Sequence, residues 1–179
     1  MNRAGDNLRV LLSAEQLERR IQELARQISM DYSGKTICAV CVLENGFIFM
    51  ADLVRALEVP VVCQFIKPEM TEIPTKEGTA TEIRFSPEPE VKGADVLLVE
   101  GLVQSGVTSE FLIRNLLARG AKSVKLCTLL DKQAARRISL QPDYFGFLIS
   151  ESYVIGYGLG SPDLKRNLPY VATSAVAAK

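Results

Sequence analysis

VLLVEGLVQSGVTSEFL, residues 96–112, decides the fold. Its first four residues are apolar with no polar alternation, the pattern of a parallel strand covered on both faces. The strand spans about residues 95–100 and ends in an acid, Glu100. Gln104, Ser105, Gly106, Val107 and Thr108 then turn the chain into a helix. In such a turn, backbone N–H groups and the Ser105 and Thr108 hydroxyls aim at one point at a helix N-terminus, where peptide dipoles attract an anion. That geometry suits a monophosphate. A plain capped β–α connection uses the same residue types, and the turn alone does not choose between the two.

Outward from this stretch, helices and strands alternate. Ser13 and Gln16 form a capping box for a helix over about 14–30, with Leu17, Ile21, Leu24 and Ile28 at helical spacing. TICAVCVL (36–43) reads as a buried strand, Phe47 to Leu57 as a second helix, and 61–66 as strand again. KPEMTEIPTKEGTAT (67–81) loses the apolar pattern and is expected to be a long loop. After it come short strands over 82–85 and 95–100, a helix over 108–119 stopped by Gly120, and a strand over 123–130. Two further short strands are expected over 144–147 and 153–157, with a frayed tail after Val171. This alternation predicts an α/β protein, a mostly parallel sheet with helices on both faces and ligands at the carboxyl ends of its strands. Those ends are Leu43-Glu44-Asn45-Gly46, Glu100 to Thr108, and Leu130-Asp131-Lys132.

Composition removes several functions. The 179 residues hold 21 Lys+Arg and 21 Asp+Glu, so no basic field exists to grip a nucleic-acid backbone. There is no histidine, which excludes Ser-His-Asp and Cys-His nucleophiles and imidazole metal sites. No apolar run approaches the roughly 20 residues that span a bilayer, and the first residues carry no signal core, so the expectation is a cytoplasmic protein without a membrane partner. Cys38, Cys41, Cys63 and Cys127 all sit in strand-like apolar runs and read as reduced core thiols. Cys38 and Cys41 spell C-x-x-C, but on a strand they face opposite sides and cannot share a metal ion.

Over about residues 9–172 the chain resembles the hypoxanthine-guanine phosphoribosyltransferases, type I phosphoribosyltransferases of purine salvage. VLLSAEQLERRIQELARQIS, FMADLVRAL, GADVLLVE, KSVKLCTLLDK, DYFGF, YVIGYGL and RNLPYV carry the resemblance in the family's order. It implies one phosphoribosyltransferase-like domain over 1–179: a core of about 30–140 and a small hood from about 8–20 and 141–172. It also implies the family reaction, in which magnesium-bound phosphoribosyl pyrophosphate and a 6-oxopurine give IMP or GMP and pyrophosphate, commonly in a homodimer or homotetramer. By the same resemblance Lys132 contacts the purine 6-oxo group, Tyr153 stacks on the base and Val154 gives backbone contacts to its edge. Ser105, Gly106, Val107 and Thr108 hold the 5′-phosphate, and Arg166 lies near the pyrophosphate.

The match departs at the pyrophosphate and metal end. Where the resemblance implies two adjacent acids, two apolar residues and a third acid, this chain reads Glu100-Gly101-Leu102-Val103-Gln104. Gln104 stands at the general-base position and cannot accept a proton at neutral pH. Gly160 replaces a metal-holding aspartate, and Glu44 in Leu43-Glu44-Asn45-Gly46 puts an anion where the pyrophosphate loop has a lysine. No metal ligand is assigned; Mg2+ is expected only if the chain is catalytic. The residues imply either a transferase of weakened or lost activity, with Glu100 supplying part of the missing acid set, or a non-catalytic purine nucleoside monophosphate sensor or subunit.

Overall fold

The strand ICAVCV (β2, Ile37–Val42) alternates between two cores. Ile37, Ala39 and Cys41 face one cluster, Cys38 and Val40 the other, so the two C-x-x-C thiols point to opposite sides of the sheet. The computed structural model describes residues 8–75, 78–160 and 165–174. The further elements are β1 (Leu8–Leu12), α1 (Ala14–Asp31), α2 (Phe47–Ala56), β3 (Val61–Thr75), β4 (Gly78–Ser86), β5 (Asp95–Val103), α3 (Val107–Ala118), β6 (Ser123–Asp131), β7 (Tyr144–Leu148) and β8 (Val171–Ser174). Six strands form one sheet in the order β4-β3-β2-β5-β6-β7. All neighbouring pairs in it are parallel except β3 with β4.

The amphipathic α1 buries Leu17, Ile21, Leu24, Ala25 and Ile28 against the first core, beside Phe49, Met50 and Leu53 of α2. Each large apolar side chain so buried contributes roughly 1.5–3 kcal/mol. On the other face, α3 supplies Leu112 and Leu116 to a core with Val96, Leu98 and Leu126. Both capping-box bonds form at Ser13 and Gln16. Ser13→Ala removes one of them and is expected to cost about 1 kcal/mol, read from the urea unfolding midpoint.

Four expectations change. Residues 67–81 are not a loop: as far as described, they continue β3 and enter β4, an antiparallel pair in register from Lys67↔Ser86 to Thr75↔Gly78. The tail does not fray at Val171, because β8 pairs antiparallel with β1; residues 175–179 lie outside the described set. The expected strand over 153–157 reduces to isolated bridges, Ile155↔Ala172 and Gly156↔Leu159. Cys63 is exposed rather than a core thiol, on the part of β3 that pairs with β2 alone. No helix among the described residues is long and apolar enough to cross a membrane.

Candidate functional site

Because β2, β5 and β6 are neighbours and parallel, their carboxyl ends open on one edge of the sheet. The three strand-end segments expected from the sequence therefore stand side by side.

At the end of β5 the chain turns at Gln104 and Ser105, and Gly106 enters the left-handed region (φ 82°) just before α3. A Cβ at Gly106 would lie 3.1 Å from Arg136 Cδ and from Ile138 Cγ1, so both backbone and packing favour glycine. The Val107 N–H donates to Ser105 Oγ at 3.4 Å. Beneath the turn lies a cavity of about 210 Å³ lined by Glu100, Gln104, Ser105, Gly106, Thr108 and Ser109 among others. Glu100 is buried there, with Oε1 lacking a hydrogen-bond partner among the described residues. Burial pushes its carboxyl up to about 7, against the opposing pull of the Ser109 hydroxyl and of Arg136.

The turn is stitched to the segment that follows β6. Lys132 N–H donates to Val103 O (2.9 Å), Arg137 N–H to Ser105 O (3.0 Å), and Arg136 Nη1 to Gln104 O (2.9 Å). Arg136 is itself held by the buried carboxylate of Asp131. Sequence reasoning leaves Arg136 and Ser109 out and places Asp131 only within the strand end Leu130-Asp131-Lys132. Arg136 has no periodic or motif signal in 133–141; its role appears only when the two strand ends are adjacent. Beside Lys132, Ile149 N–H donates to Asp131 O (3.0 Å), which brings the chain after β7 alongside. Tyr153 stands beyond it, half-exposed, with its carbonyl accepting from Thr173 Oγ1 (2.8 Å), while Val154 is buried.

At the end of β2 the segment Leu43 to Gly46 is pressed onto β5. The peptide joining Leu43 and Glu44 is cis. A Cβ built on Gly101 would lie 2.1 Å from Asn45 O and 2.7 Å from Asn45 C, so the Asn45 carbonyl occupies the place a side chain at 101 would need. Glu44 forms ion pairs with Lys67 (3.2 Å) and Arg166 (3.3 Å). Arg166 Nη1 donates to Asn45 Oδ1 (2.7 Å) and to Gly158 O (2.5 Å), and its buried Nε has no hydrogen-bond partner among the described residues. Arg166 also lines a separate cavity of about 520 Å³ between α1, α2 and residues 166–169.

These donors do not build a resident divalent-cation site. Among the described residues no three acids or thiols cluster in a metal-holding group. Gly101 and Gly160 offer no carboxylate, and the first has no room for one. Gly160 adopts φ 123°, a conformation that suits glycine.

A layered α/β sheet opens its parallel strand ends on a glycine turn that leads into α3, and the chain belongs to the phosphoribosyl transferase domain family, which it matches over residues 9–162. Its relatives within that family are hypoxanthine-guanine phosphoribosyltransferases, the purine-salvage branch. The Mycobacterium bovis hypoxanthine-guanine phosphoribosyltransferase is 37% identical over 94% of this chain and 87% of its own length. A bifunctional TilS/HprT protein of Listeria innocua is 36% identical over 93% of this chain, which spans only 26% of that longer protein. Among solved structures, the Trypanosoma cruzi hypoxanthine phosphoribosyltransferase in complex with the product IMP superposes with a TM-score of 0.84 at 30% identity, covering 96% of this chain and 95% of its own.

Proposed function

We propose that this chain binds a purine nucleoside monophosphate, IMP or GMP, across the ends of β5 and β6, and that its transfer of ribose phosphate from phosphoribosyl pyrophosphate is weak or lost. In this reading Ser105 to Thr108 take the 5′-phosphate, Lys132 the 6-oxo group, Tyr153 the base face and Val154 its edge. The observation that carries the loss is the Asn45 carbonyl seated over Gly101, which leaves neither a carboxylate nor space for one beside the expected ribose. Gln104 adds to it, because an amide cannot take the proton; the missing base alone lowers rate by roughly 10²–10⁴. Mg2+ enters this reading only with the pyrophosphate substrate, as no cluster of three acids or thiols among the described residues supports a resident ion.

A second reading, a working transferase with a rebuilt acid set, is favoured by Glu100: a buried carboxyl with an unpaired oxygen lining the phosphate-side cavity. One assay separates the two. Nucleoside monophosphate formation is measured from phosphoribosyl pyrophosphate, Mg2+ and each 6-oxopurine at high protein concentration, alongside calorimetry with GMP and IMP. The first reading expects nucleotide binding without significant turnover, and Lys132→Ala weakening GMP roughly 10- to 100-fold through loss of a charged hydrogen bond. Turnover abolished by Lys132→Ala establishes the second reading; absence of GMP and IMP binding removes the first.

A further inference from the structure

Lys67 lies within β3, just past the residues that pair with β2 and immediately beside the Leu43–Gly46 segment, where Leu43 N–H donates to Ile66 O at 2.8 Å. Arg166 approaches the same segment from the other side. Between them, among the described residues, lies the Glu44 carboxylate, 3.2 Å from Lys67 Nζ and 3.3 Å from Arg166 Nη2. Lys67 and Glu44 are half-exposed, whereas the Arg166 side chain is only 19% exposed and its Nη1 is committed to Asn45 Oδ1 and Gly158 O. Two cations at a strand end are what a multiply charged ligand group needs, and here the chain supplies the counter-anion itself. A diphosphate reaching this end must displace Glu44 from both partners and then lie beside the displaced carboxylate. A single phosphate at the Ser105–Thr108 turn does neither, since that turn belongs to the adjacent strand.

We infer that Glu44 is a selectivity residue: its carboxylate occupies the Lys67–Arg166 anion site from within, so the cleft accepts ligands with one terminal phosphate and refuses those that add a diphosphate. The inference rests on the nucleotide-binding reading for the identity of the accepted ligand, but the refusal depends only on the Glu44, Lys67 and Arg166 triad. It assigns the ligand class as phosphate monoesters of nucleosides.

The test is calorimetry with inorganic pyrophosphate, with and without Mg2+, and separately with GMP. The proteins are the parent, Glu44→Gln, Glu44→Lys and Glu88→Gln, the last making the same charge change beside Arg119 at the far end of α3. Expected are at least a tenfold gain in pyrophosphate affinity for Glu44→Gln, a larger gain for Glu44→Lys, and parent-like behaviour for Glu88→Gln. Equal pyrophosphate affinity, within twofold, in the parent and both Glu44 variants overturns the inference, with thermal melts showing that the variants are folded. So does a gain of the same size in Glu88→Gln, which makes it a bulk charge effect. If the parent fails to bind GMP, the nucleotide reading falls, while the pyrophosphate comparison still decides whether Glu44 guards the anion site. Glu44→Lys keeps the decision available if the neutral variant loosens the loop.

Discussion

Gly101→Asp is expected to melt about 6–12 °C below the parent protein and to gain no transferase activity. The Cβ alone would meet Asn45 O at 2.1 Å, Asn45 C at 2.7 Å and Leu159 Cδ2 at 3.0 Å. The first two are backbone atoms, so no side-chain rotation relieves the contact. Moving the backbone means moving a loop that Arg166 ties to Gly158 and that Gly46 holds through Val42 O at 3.1 Å. Overpacking of this kind costs about 3 kcal/mol, and a carboxylate facing a carbonyl oxygen adds to it. For a chain of this length each kcal/mol moves the midpoint by roughly 2–4 °C. Scanning calorimetry reads the shift, and Gly101→Ala, which keeps the steric cost without the charge, falls between. Parent-like melting of the aspartate variant would show that the loop yields freely and that position 101 is open to an acid.

The second large effect is a pH dependence. Glu100 is held near 7 in the folded chain against 4.5 for an ordinary glutamate, with burial as the main cause. Between those values the folded state binds a proton that the unfolded state has released. Stability from this group is therefore fully present below pH 4.5 and is lost as pH rises through about 7. The size is about 3 kcal/mol at pH 8. Glu100→Gln keeps the shape without the charge, so it is expected to exceed the parent by up to about 3 kcal/mol at pH 8 and to match it at pH 4.5. Urea unfolding at a series of pH values measures both proteins. The chain has no histidine to titrate in that window. Asp31 and Asp95, whose carboxyls are held below the usual range by Tyr144 and by Ser123 and Lys122, act on the acid side of it with the opposite slope. A parent profile that stays flat from pH 5 to 8 would remove the buried-acid account of Glu100.

How much of this was legible in the sequence depended on whether a feature is local. The two-faced apolar run of β2, the capping box at Ser13 and the Gly106 turn are each decided within a few residues, and each forms where expected. The three strand ends follow from topology alone, because parallel neighbours must share an edge. The β3–β4 pair was missed for a physical reason: prolines at 68 and 74 and scattered charges suppress the alternation by which a half-buried strand is read. β1 and β8 were missed because each finds its partner about 160 positions away. At the candidate site the legible part was which strand ends stand side by side. Their long-range contacts were not: Asn45 over Gly101, Glu44 between Lys67 and Arg166, and Arg136 reaching back to Gln104 all join segments with no shared local pattern.

The pairing of β1 with β8 closes residues 8–174 into one loop, with Leu8 facing Ser174. Closing a loop of that size costs on the order of 4–5 kcal/mol of chain entropy, so the contact becomes favourable only once the parallel sheet has shortened the path between its partners. The lip around Tyr153 is fastened to the same place, through Thr173 Oγ1 and through the Ile155↔Ala172 bridge. One wall of the cleft is thus built from the segments most remote in sequence, while the turn at 104–108 is framed by its own strand and helix. The two sides of the cleft therefore differ in what holds them: a turn fixed by its own neighbours on one side, and on the other a closure that depends on the rest of the sheet.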